Sequence, residues 1–144
     1  MYTTLAELLK EFKPEELARL TGDSSGGNID QVRVNYAIEN SCNLIDSFLR
    51  DRFSVPFSSV PSLIRFIARE LTIANLYEYS NHNGFVPPTI AKRKSYAMYL
   101  LRQIQSGDLQ LDLPETENRQ VLLSNKVNQY RLFDNFMLDK FVEM

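Results

Sequence analysis

The stretch from Pro61 to about Ser80 reads as a helix with almost no solvent side. Leu63, Ile64, Phe66, Ile67, Leu71, Ile73, Ala74, Leu76 and Tyr77 go most of the way round it, and only the Arg65, Arg69, Thr72 stripe is polar. A helix that is apolar on several sides must be enclosed by neighbouring helices or by another subunit. That requirement points to an all-α fold, a small helical bundle with residues 61–80 innermost. Polar substitution at Leu71 is expected to be costly.

The remaining helices follow from period and caps. Thr3 or Thr4 opens a first helix over about 3–12, with Glu7 at capping-box spacing from Thr4 and Leu5, Leu8, Leu9 and Phe12 on one face. Pro14 ends it and starts a short helix over 14–20. Asp30 caps a long helix over about 30–52, whose stripe is Val34, Ile38, Cys42, Ile45 and Leu49. Pro56 and Pro61 hold Val55 and Val60 in extended geometry and separate this helix from the next. Thr89 or Pro88 starts a helix over 89–106 with Ile90, Ala97, Leu101 and Ile104 inward, and Gly107 provides its left-handed cap.

Beyond Gly107 the pattern changes. Leu109, Leu111 and Leu113 alternate with polar residues and read as extended chain. Residues 1–113 therefore form the body, and 114–144 an arm or extension. The arm is expected to hold a hairpin around Ser124–Asn125 and a short terminal helix capped by Asp134. An arm so rich in apolar side chains has two outcomes: it folds back on the bundle or it docks on a partner. Phe133, Phe136 and Phe141 are the candidate anchors.

Charge and chemistry narrow the function classes. The formal net charge is −2, which argues against a surface that binds DNA by charge alone. The distribution is uneven: residues 61–107 carry six bases and two acids, and residues 108–144 four bases and seven acids. Lys92, Arg93 and Lys94 sit near a helix N-terminus, where the dipole disfavours cations. Local propensity does not explain them, so they are candidate interface residues facing the acids of a neighbour or a DNA channel.

No catalytic constellation emerges, and the chain is not expected to be an enzyme or to need a cofactor. The loop GDSSGGNID lacks an EF-hand's side chain at position 5 and its carboxylate at position 12, so no metal is expected there. Cys42 lies on a core stripe, and His82 is a lone histidine in a polar loop. No apolar run approaches the length of a bilayer span, and the N-terminus lacks the basic start of a secretory signal.

The order of features is similar to one phage family. An opening MYTTLAELLKEFKPEELARLT leads through a Gly/Asp loop to a helix bearing AIENSCNLIDSFLRDRFSVPFSSVP, then LIRFIARELTIANLY, then a basic helix with YAMYLLRQIQSGDLQL. This resembles the small head–tail connector (head completion, or adaptor) family of Mu-like phages and prophages over about residues 1–113. The matching positions are Ile45, Asp46, Phe48, Leu49, Arg52, Phe53, Pro56 and Pro61.

The resemblance implies a structural virion protein made in the bacterial cytoplasm. It implies a ring under the portal that joins capsid to tail. Its partners would be other copies of itself, the portal protein and a neighbouring connector or tail protein, with packaged DNA close by and no membrane. The competing reading is a small helical DNA-binding regulatory protein, supported only by the Lys92–Arg93–Lys94 cluster.

Overall fold

The computed structural model describes residues 1–80 and 84–113. Among them are five helices and no strand: α1 (Leu5–Leu8), α2 (Pro14–Leu20), α3 (Gln31–Leu49), α4 (Ser62–Ser80) and α5 (Pro88–Ser106). The all-α bundle expected from periodicity is the fold observed. The hairpin, the terminal helix, the arm with Phe133, Phe136 and Phe141, and His82 all lie outside the described residues.

Helix α4 packs against each of the other four, and α3 and α5 flank it while touching one another. Its innermost position follows from its composition, and Leu71 is indeed buried. All five residues of the expected α3 stripe are buried too, as are Ile90, Ala97, Leu101 and Ile104 of α5.

One polar residue departs from expectation. Thr72 was assigned to the polar stripe of α4, yet it is fully buried against α3. Its hydroxyl lies 2.7 Å from the Ala68 carbonyl and 3.1 Å from Ser41 Oγ, and Asn75 Nδ2 donates to the same Ser41 oxygen at 3.0 Å. A small hydroxyl that satisfies itself within its own helix can face a partner helix at little cost.

Caps set most helix ends. The Thr4 side chain accepts from the Glu7 amide, while Glu7 Oε2 takes a hydrogen bond from the Thr3 hydroxyl at 2.9 Å. Helix α1 is only one turn, shorter than the expected 3–12, and the chain continues as turns through Phe12. Pro14 disfavours helical geometry at Lys13 and closes this run of turns. Asp30 accepts from the Val32 and Arg33 amides and starts α3 where expected. Gly107, at φ 93°, ends α5. The stretch after it is bent coil rather than strand, yet Leu109, Leu111 and Leu113 still pack on the core.

Candidate functional site

The residues that carried the family resemblance come together at one end of the bundle. Tyr2 leaves the N-terminus buried and donates its hydroxyl to the Asp46 carboxylate near the end of α3. The same hydroxyl accepts from the Phe57 amide at 3.2 Å. The Tyr2 and Phe57 rings lie 5.6 Å apart, and Phe57 and Phe53 6.0 Å apart. The Val55–Pro56 bond between these phenylalanines is cis. Tyr2 thus clasps the N-terminus to α3 and to the proline turn. Its burial and the nearby Asp46 carboxylate push its hydroxyl pKa well above the ordinary tyrosine range.

Arg52 has a second structural task. It is buried, its guanidinium donates to the Ile104 carbonyl in the last turn of α5, and it lies over the Phe53 ring at 5.3 Å. A cation placed on terminal carbonyls satisfies orphan acceptors and complements the negative end of the dipole. Asp46, Arg52, Phe53 and Pro56 therefore belong to the architecture that fixes the proline turn and α5. Leu113, the last described residue, lines a groove with Phe53 and Phe57 beside this clasp.

The basic cluster does not act as one unit. Arg93 makes two hydrogen bonds to Glu70, 2.6 and 2.7 Å long, and a third to Glu11 at 2.8 Å. Glu70 lies on α4 with only 3% of its surface exposed, and Arg69 adds an ion pair with Glu11 at 3.0 Å. The Glu70 carboxylate raises the Arg93 pKa further above its already high value. Lys94 pairs with Glu78 on α4. Only Lys92 of the three is exposed without a carboxylate partner among the described residues.

An exposed face that the sequence reading missed lies on the other side of α5. Tyr96 and Tyr99 are 54% and 55% exposed, and Lys92 and Arg102 share the same stripe at helical spacing. Helix α5 contains no acidic residue. The signal was available in the sequence: Lys92, Tyr96 and Tyr99 repeat at steps of four and three, opposite Ile90, Ala97, Leu101 and Ile104. A second exposed group, Val32, Tyr36 and Tyr79, lies where α3 meets α4, with the tyrosine rings 5.6 Å apart.

Two further sequence candidates are structural. Asp23 spends both carboxylate oxygens on its own loop, accepting from the Ser25 amide and hydroxyl and from the Asn28 amide. Those bonds hold its pKa below the ordinary carboxylate value. Cys42 is buried, accepts from the Tyr2 amide, and has its thiol pKa raised by burial. Among the described residues no group of three or more His, Cys, Asp or Glu is placed to hold a metal ion. No helix there is long and apolar enough to cross a membrane.

No curated protein matches the chain. The family described as bacteriophage Mu, Gp36 matches residues 2–127, from the tyrosine of the N-terminal clasp through all five helices and past Leu113. With nearly its whole length matched, this chain belongs to the bacteriophage Mu Gp36 family.

Proposed function

We propose that this phage-family protein is a head–tail connector, a non-enzymatic adaptor that forms a ring under the portal and joins capsid to tail. The observation that carries the reading is the family match over residues 2–127. The internal economy of the fold supports it. Four buried charged and polar side chains, Glu70, Arg52, Thr72 and Ser41, are occupied in joining helices to one another. Where α3 meets α4, the exposed group Val32, Tyr36 and Tyr79 is apolar and aromatic, which suits contacts with other proteins.

A heterologous contact between copies that closes by rotation gives a ring. The partners on this reading are other copies of the chain, the portal, and a neighbouring connector or tail protein. The site of action is the virion, after synthesis in the bacterial cytoplasm. The DNA-binding regulator has less to stand on, because Arg93 and Lys94 are engaged by carboxylates of the same chain.

Deleting the gene tests the role in the phage itself. Lysates are expected to contain DNA-filled heads and separate tails, with joining restored by supplying the protein. Joined, infectious particles without it would rule the role out.

A further inference from the structure

We infer that the outer face of α5 is the seat of this chain's own C-terminal residues 133–144. The face is defined by Lys92, Tyr96, Tyr99 and Arg102. Neither cation has an ion-pair partner among the described residues, and α5 offers no carboxylate to neutralise them. The two tyrosines, each more than half exposed, add apolar area that a monomer would leave in water. The occupant must therefore be both aromatic or aliphatic and anionic.

Residues 133–144, FDNFMLDKFVEM, fit both demands. They carry Phe133, Phe136 and Phe141, and three acids against one base, for a net charge of −2. Phenylalanines against tyrosines give ring–ring contacts, and Asp134, Asp139 and Glu143 supply charge for Lys92 and Arg102. Reach is no obstacle. Nineteen residues lie between Leu113 and Phe133, enough for up to ~70 Å of extended chain, against roughly 28 Å for the whole of α5. Duplex DNA is a poorer occupant, because it needs a dense cationic surface and this face offers two unpaired cations. The assignment concerns this chain alone and stands or falls separately from the connector role.

The test is photo-crosslinking of the full-length chain with Tyr99 replaced by p-benzoylphenylalanine. Tyr36, equally exposed but on α3, serves as the control position. Adducts from position 99 are expected to map to peptides within 133–144, with few such adducts from position 36. Their yield should fall severalfold in high salt and in the Lys92→Glu/Arg102→Glu variant, which folds as the parent does because both altered side chains are exposed on the body. Adducts that map elsewhere, equal yields from the two positions, or a yield indifferent to the charge reversal would each overturn the assignment.

Discussion

Arg93 on α5 holds the buried carboxylate of Glu70 on α4 in a two-pronged grip, with hydrogen bonds of 2.6 and 2.7 Å. Removing Arg93 leaves the buried Glu70 carboxylate with only Arg69, 3.9 Å away, to balance it. Arg93→Ala is expected to destabilise the fold by about 2–3 kcal/mol, less than for a fully buried pair because Arg93 is partly exposed. Replacing both partners, as Glu70→Leu with Arg93→Met, should recover most of that loss. Urea denaturation of the single and double variants checks both statements.

The same pair changes how the basic cluster can be probed. Reversing Lys92, Arg93 and Lys94 together would set a carboxylate against Glu70 and Glu11, so that variant is expected to fold poorly. Lys92→Glu alone should leave the melting temperature within about 1 °C of the parent, as expected for an exposed surface site. Any loss of assembly it causes then reports on a surface contact.

Arg52 and Gly107 form a second joint. Arg52→Ala should cost about 2 kcal/mol by leaving the Ile104 carbonyl with only the Gly107 amide and removing a cation from the end of α5. Gly107→Ala should cost about 1 kcal/mol from its positive φ alone. The new Cβ would also stand 3.4 Å from Arg52 Nη1. The two sites touch, so their double variant should fall short of additivity, which equilibrium unfolding of the three variants measures.

Tyr2→Phe removes the hydroxyl that serves both Asp46 and Phe57, at an expected cost of about 1–2 kcal/mol. It also predicts a pH effect. The Tyr2 pKa is raised in the folded state, so the unfolded chain loses this proton first. The contribution is fully present below pH ~10, the ordinary tyrosine value, and is lost as pH rises from there toward the folded pKa. Stability measured between pH 9 and 11 should therefore fall more steeply in the parent than in Tyr2→Phe.

Much of the fold was legible from the chain because its signals are local. The caps at Thr4, Asp30 and Gly107 and the stripes of α3 and α5 depend on residues three or four apart. What stayed hidden depends on partners far along the chain. Thr72 looked solvent-facing because nothing near it reveals that Ser41, 31 residues away, waits on the opposite helix. The cations at the start of α5 looked unexplained because Glu70, Glu11 and Glu78 lie on other segments. Glu70 itself drew no notice, although an acid within so apolar a helix was a visible cue to a buried pair. The Asp46, Arg52, Phe53 and Pro56 pattern was legible as a motif, but its clasp on Tyr2 and α5 was not.

The most direct measurement of the central claim is negative-stain electron microscopy of the purified protein with and without its portal. The account predicts a ring of this protein stacked on one face of the portal, coaxial with it, in the mixed sample. Portal particles that remain bare at saturating protein, with the chain instead bound to duplex DNA in a salt-dependent shift, would contradict it.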